Sequence, residues 1–486
     1  MFELPKKIKM IAAALTIVGL GLLVIGFNTD YSQASDGHDD HAVAQNDNHA
    51  ALSAHGDYPG EAHAAMIQST IEDSHDDHGA AHAAMIQSTI EDSHDDHGAA
   101  HAAMIQSTIE DSHDDHGAAR HAENRPWAGL LVNTIFFLSI GLGALFFLAI
   151  QYAAQVGWSV GILRVMEAMA LWVGIPMLVM FFIGIAGSLH WHHLYHWMLE
   201  GIADPASANY DKIIAGKVAW LNAPFFLART VIYFIIWAGA AYLFRRNSLK
   251  EDAMSKGKNL FFTQRKLAAT FLVLYAVTSS TSAWDFIMSI DTHWFSTMFG
   301  WYTFAGMFVT ALTVMNLIVM YLRLGGHMPW VNANHQHDLG KFMFAFSVFW
   351  TYLWFSQYML IWYSNIPEEV TYFMNRFSAE YKPIFIGMVA LNFLLPILVL
   401  MSRDSKRIFG FLSLASVFIL AGHWMDHFIM VMPGTVGYEF GFGYPELGGL
   451  LFYLGLFVLV VGHFLGKAPL AMKNHPMVKE SKHFHQ

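Results

Sequence analysis

The chain of 486 residues contains no cysteine. It therefore forms no disulfide, holds no thiolate-ligated iron–sulfur cluster and attaches no c-type haem of its own. Charge is also scarce. Asp, Glu, Lys and Arg make up 13% of the residues, 55% are hydrophobic, and the mean hydropathy is positive. Soluble domains carry about 25% charged residues, so this composition excludes an ordinary soluble protein. Basic residues form no patch long enough for nucleic acid. Much of the net charge of −11 sits in residues 28–126, which are rich in Asp, Glu and His.

What the chain has in quantity is long apolar runs. Met1–Phe27 places Lys6, Lys7 and Lys9 before an apolar run that is long for a signal-peptide core, so a retained membrane anchor is expected rather than a cleaved leader. Nine further segments follow, at 127–152, 163–188, 218–244, 266–290, 297–323, 342–363, 383–402, 408–432 and 448–466. Each supplies the roughly 20 residues that cross ~30 Å of hydrocarbon as a helix. The expectation is an all-α membrane protein of ten spans. With the N-terminus inside, 20 Lys and Arg fall on inner segments and span ends and six on outer ones. That is the bias the positive-inside rule requires. Both termini are expected in the cytoplasm and residues 28–126 on the outer side of the membrane.

Residues 28–126 carry a 19-residue repeat, HAAMIQSTIEDSHDDHGAA, at 63–81, 82–100 and 101–119. Its length is not a whole number of helical turns and a Gly marks each junction, so a weakly ordered polar segment is expected. Its HDDH runs could hold zinc or copper loosely. The stronger reading is a solvated tail with no specific metal site.

The stretch Ala283–Tyr302, AWDFIMSIDTHWFSTMFGWY, puts Asp285 at membrane depth and leads through Asp291 and His293 into the next span. A carboxylate in hydrocarbon costs roughly 2.5–3.5 kcal/mol on insertion scales, which makes it functional or paired. A second version, HWMDHFIM, carries His423, Asp426 and His427. Ala223-Pro224-Phe225-Phe226 and Lys382-Pro383-Ile384-Phe385 likewise open corresponding spans. The pattern predicts two tandem four-helix bundles, spans 2–5 and 6–9, in parallel orientation, with one flanking helix at each end. The predicted divisions are 1–27, 28–126, 127–290, 291–432 and 433–486.

Asp285, Asp426, His423, His427, Glu167, Asp291 and His293 are candidates for a proton path. The alternative for the carboxylates is a structural tie to Arg, His or backbone. Gln357, Asn365, Glu368 and Glu369, in FSQYMLIWYSNIPEE, form an outer polar cluster that could serve proton exit or docking, or simply be a solvated helix end. No matched pair of histidines on facing helices offers a haem site. SLHWHHLYHWM, around His190, His192, His193 and His196, is expected to lie along the outer surface with Trp191 and Trp197 at headgroup depth.

LFFLAIQYAAQVGWSVGILRVMEAM (145–169), WDFIMSIDTHWFSTMFGWYTFAG (284–306) and FSQYMLIWYSNIPEE (355–369) resemble the ActF subunit family of bacterial alternative complex III, a quinol:cytochrome c oxidoreductase. That family is similar to ActC and to NrfD/PsrC-type subunits, and the resemblance covers roughly residues 127–470. It implies two tandem four-helix bundles with a flanking helix at each end. It implies no redox centre on this chain, with iron–sulfur clusters and c haems on partner subunits and the quinol site on an ActC-like paralogue. A terminal oxidase and lipids are further implied partners. Three functions remain open: a scaffold subunit with a proton path, a chain that binds quinol itself, and a stand-alone secondary transporter.

Overall fold

The computed structural model describes residues 2–29, 31, 115–255, 257–437 and 441–485. The chain divides into one unit of Met1–Asp30 with His121–Gln486 and a second of Tyr31–Arg120. The second unit, with its repeats, lies almost wholly outside the described residues. Among the described residues there is no strand.

Ten long helical segments build the first unit: α1 (Lys6–Asn28), α2 (Asp115–Ala153), α3 (Trp158–Ser188), α4 (Ala223–Asp252), α5 (Phe261–Phe286, with a 3-10 turn to Ile290), α6 (Phe299–Leu324), α7 (Ala333–Ser364), α8 (Lys382–Leu400), α9 (Phe409–Val436) and α10 (Tyr444–Gly466). Nine of them are long and apolar enough to cross a membrane. The exception is α7, which contains the expected span 342–363 within its 32 residues. Its C-terminal half is apolar through Trp and Tyr (Trp350, Tyr352, Trp354, Tyr358, Trp362, Tyr363), which weigh less on a hydropathy scale than aliphatic residues. The protein is an all-α, multi-pass membrane protein. α9 also runs past the predicted boundary at 432, through Pro433 to Val436.

The most apolar helices divide by position. The apolar window of α2 is 89% buried and that of α6 83%, whereas that of α1 is 22% buried. A helix that is apolar all round is either core or lipid-facing, and here both kinds occur. α2 is central: Phe137 O accepts from Trp172 of α3, Phe146 stacks on Tyr275 of α5, Phe147 meets Phe308 of α6, and Thr134 bonds Tyr453 of α10. α3, α4 and α5 pack in series, α5 against α6, and α6 to α9 against one another.

α1 lies antiparallel along α10 with little side-chain bulk between them. A Cβ on Gly19 would strike the Phe452 backbone, one on Gly455 the Ala12 carbonyl, and one on Gly448 would come within 2.8 Å of Leu23 N. Without aliphatic side chains to squeeze from water, helices in lipid associate through such close backbone contact. Phe2 and Leu4 sit against Gly466 and Gly462, so both ends of the unit lie at one face, called here the terminal end. There the C-terminal segment straps both bundles. Lys473 N donates to Asp252 of α4 (2.9 Å), Ser481 Oγ donates to Trp158 O (2.7 Å), and Asn332 Nδ2 donates to Phe484 O (2.7 Å).

Candidate functional site

Asp285 closes the last turn of α5 and is fully buried. Its Oδ1 accepts from Trp220 Nε1 (2.9 Å) and Arg229 Nη2 (2.9 Å). Its Oδ2 accepts from Arg229 Nε (2.8 Å) and Tyr233 Oη (2.7 Å). The guanidinium and carboxylate meet fork to fork, the strongest geometry for such a pair. Arg229 also donates to Trp220 O and lies 4.3 Å from the Trp220 ring and 4.2 Å from the Phe225 ring. All four acceptor positions of the carboxylate are used. The arrangement is a closed clamp joining α4 to α5.

Asp426, on α9, is as deeply buried and differently served. Tyr302 Oη donates to Oδ1 and Trp350 Nε1 to Oδ2 (3.0 Å). His423, one turn back, places Nδ1 3.6 Å from Oδ2. No Lys or Arg hydrogen-bonds this carboxylate among the described residues. Behind it, Asn392 Nδ2 lies 3.5 Å from His423 Nδ1, and neither Asn392 Oδ1 nor His423 Nε2 has a partner.

The backbone explains how Asn392 arrives there. Pro396 has no N–H to give the carbonyl of residue 392, and its ring crowds that carbonyl. The helix widens into a π turn at Ala390–Leu394, a distortion frequent at functional sites. Gly422 leaves the room, because a Cβ there would overlap the Asn392 amide.

His427 extends the centre towards the first bundle. Its Nδ1 bonds His423 O (2.7 Å) and its Nε2 lies 3.3 Å from Ser139 Oγ of α2. The ring borders a cavity of about 50 Å³ lined by Ser139, Ser279, Ser282, Thr303 and apolar side chains. Cavities that take benzene measure ~150 Å³, whereas a water needs far less, so this is room for water and too small for a quinol ring.

The other expected residues disperse. Asp291 accepts from Arg376 Nη2 (2.8 Å). Arg376 also donates to Ile429 O (3.0 Å), which Pro433 leaves without its helical donor, and to Met430 O (3.1 Å). This arginine therefore fills the proline gap in α9. His293 pairs with Asp211 (2.5 Å) at an exposed site. The Asp211 carboxyl is held below its usual range: burial opposes this, but the Ile214 and Ile213 N–H groups and His293 outweigh it. Glu167, on α3, is buried at the terminal end, where Oε2 accepts from Arg164 (3.0 Å) and Arg245 (2.8 Å).

Gln357 is buried on α7, and its Nε2 has no partner. Asn365 caps that helix in left-handed conformation, φ 46°. Glu368 and Glu369 occupy the first turn of helix Pro367–Arg376, where its dipole favours them. The outer polar cluster is thus split between a span and a helix cap. The His-rich stretch after α3 departs from expectation. Trp191 is 59% exposed, but His192, Leu194, Tyr195 and Trp197 are buried. Burial brings the His192 ring down to about 4, and Nε2 lies 3.0 Å from Ile183 O.

Tyr302, Trp350, Asn392, Arg229 and Ser139 were not singled out from the sequence. Two signals were legible there. Arg229 and Asp285 lie at similar depth from one end of their spans, and a polar residue four before a proline, as Asn392 is, marks an opened helix. No protein-family model matches the chain, and no curated protein matches it.

Proposed function

We propose that this chain is a proton-handling membrane subunit of a respiratory quinol:electron-acceptor oxidoreductase, with Asp426 as its protonatable centre. One observation carries the reading. Two buried carboxylates occupy corresponding helices, and among the described residues only Asp285 has an Arg or Lys on it. A carboxylate held by Tyr302 and Trp350 with a histidine beside it is placed to exchange a proton rather than to tie an ion pair. Asp426 can hold that proton or pass it to His423, whose Nδ1 is 3.6 Å away. His427 then faces Ser139 and a water-sized cavity lined by hydroxyl groups.

The resemblance to ActF-like subunits supports the respiratory setting. In that setting iron–sulfur clusters and c haems sit on partner subunits, an ActC-like subunit binds quinol, and lipids and a terminal oxidase complete the surroundings. The membrane is the bacterial inner membrane, with the terminal end in the cytoplasm and residues 28–126 in the periplasm. The size of the cavity beside His427 argues against quinol entering there. The test is purification through a tag on this chain in mild detergent, followed by reconstitution. Haem c and an iron–sulfur protein should accompany it, and Asp426→Asn should lower proton translocation per electron while the subunits stay together. A colourless single species would replace this reading with a transporter.

A further inference from the structure

The terminal end of the first bundle holds a second group of unsatisfied atoms. Glu251, near the end of α4, is fully buried, and neither of its carboxylate oxygens has a side-chain hydrogen-bond partner. Nor does the second oxygen of Glu167, Oε1, nor does Ser248 Oγ, while Tyr152 Oη has only the Gln264 side chain beside it. Glu251, Glu167, Tyr152 and Arg164 are within electrostatic reach of one another. Ser248 is three residues from Glu251, on the same helical face.

The charges facing this spot do not cancel. Three carboxylates, Glu167, Glu251 and Asp252, meet two guanidiniums. Arg164 is spent on Glu167 and Asp252, and Arg245 on Glu167 and the Phe464 carbonyl. His475 of the C-terminal strap faces Asp252, and burial keeps that imidazole neutral, down to about 4 despite the carboxylate. The Leu260 backbone is a favourable dipole towards Glu251, and Lys250 beside it is exposed. A fully buried carboxylate met by one backbone N–H and no cation is costly as an anion. Four oxygens of Glu251, Glu167 and Ser248 without side-chain partners are what internal water satisfies.

We infer that Glu251 is a proton-binding residue. It carries an exchangeable proton beside Tyr152, Ser248 and the free oxygen of Glu167, with internal water as its exchange partner. The proton leaves Glu251 Oε for water and returns from it, with Glu167 Oε1 as the alternate acceptor, so no other reactant is needed. As a loading point for protons from the terminal side, this assignment rests on the proton-handling role proposed above. The site itself stands on its own geometry.

The test is difference infrared spectroscopy on the full chain with its co-purifying subunits, in H₂O and D₂O, across a pH step. The wild type should show a protonated carboxyl band that moves in D₂O. Glu251→Gln should abolish it, Tyr152→Phe should shift it, and Asp426→Asn should leave it in place. Should Glu251→Gln disturb assembly, Glu251→Asp is expected to retain a displaced band. An unchanged band in Glu251→Gln, or no band that Glu251→Asp displaces, overturns the inference. The two readings fail separately. A Glu251 band together with normal proton translocation in Asp426→Asn would remove the Asp426 proposal and keep this one. The reverse pair of results would do the opposite.

Discussion

The two bundles use the same helix framework and treat charge in opposite ways. α4 and α8 both begin with a proline in their first turn, 159 residues apart (383 − 224). Counting from those prolines, Arg229 of α4 corresponds to Met388 of α8, and Tyr233 to Asn392. In the first bundle the arginine forks onto Asp285 and the tyrosine completes its shell. In the second, Met388 is buried where the cation would be, and Asn392 reaches a histidine instead. At the terminal end the bias reverses. The first bundle buries Glu251 and Glu167, while Arg323, Lys341, Lys406 and Arg407 gather at the second. Corresponding helices thus hold an arginine-paired carboxylate in the first bundle and a carboxylate held by Tyr302 and Trp350 in the second.

The largest effect should come from breaking the fixed pair. Asp285→Asn leaves Arg229 buried without its counter-charge, which costs roughly 3–5 kcal/mol. The protein should fail to accumulate in the membrane, as read by quantitative immunoblot. The double variant Arg229→Met with Asp285→Leu should recover most of that loss, because an apolar pair of similar volume replaces a buried ion pair with little penalty. Recovery would identify the clamp as architecture. A double variant that assembles but loses proton translocation would make Asp285 functional too and collapse the contrast.

Acid gives the next effect. His335 and His475 at the strap are both pushed down to about 4 by burial, with Asp338 and Asp252 respectively opposing the shift. The unfolded chain titrates these groups near 6.5. Above that both states are neutral and the contribution is constant. As pH falls from about 6.5 to about 4 the unfolded state binds more protons, so stability drops, by on the order of 3 kcal/mol for each histidine at completion. Hydrogen exchange of residues 470–485 should therefore accelerate between those limits and do so less in His335→Gln. Because the strap spans both bundles, acid sensitivity of function that survives in His335→Gln and His475→Gln together belongs to the carboxylate centres.

How much of this was readable beforehand follows the physics of each signal. Span positions follow from the length of apolar runs, and the structure keeps nearly all of them. Hydropathy ranks Trp350 and Tyr352 below leucine, which is why α7 alone among the ten falls short. Repeat symmetry was visible because Asp285 and Asp426 sit in kindred motifs. Their different fates were not. Each depends on which face of a neighbouring helix looks inward, and only Arg229 against Met388 records the choice in sequence. Asn392 is placed by a π turn whose cause, Pro396, was in view but whose direction was not. The His192–Trp197 segment reads as amphipathic, yet packing against Phe226 and Trp127 draws its rings inward.

Placing the missing cation tests the contrast with a smaller cost. Met388→Arg puts a guanidinium where the first bundle has one. α8 packs against α9, the helix that carries Asp426, so the new charge has a carboxylate on the neighbouring helix and destabilisation should stay within ~1–3 kcal/mol of overpacking. Proton translocation should fall as far as in Asp426→Asn. Unimpaired translocation in a folded Met388→Arg protein would mean that the arginine, rather than the carboxylate, had never been the distinguishing element.

The smallest change in stability should accompany the greatest change in chemistry. Asp426→Asn keeps an acceptor for Trp350, can donate its amide N–H to Tyr302 Oη in place of accepting from it, and removes a group that has no cation to strand. Thermal stability should move by no more than about 1 kcal/mol, the net worth of a hydrogen bond. If Asp426 were instead a structural anchor like Asp285, its Asn variant would be as poorly tolerated as Asp285→Asn. Melting the two variants side by side, by tryptophan fluorescence in one detergent, separates the cases. A gap of several kcal/mol means that duplication freed the second carboxylate for proton chemistry while the first stayed with the fold. Equal losses would mean that both carboxylates only hold helices together, and the proton path would have to be sought at Glu251.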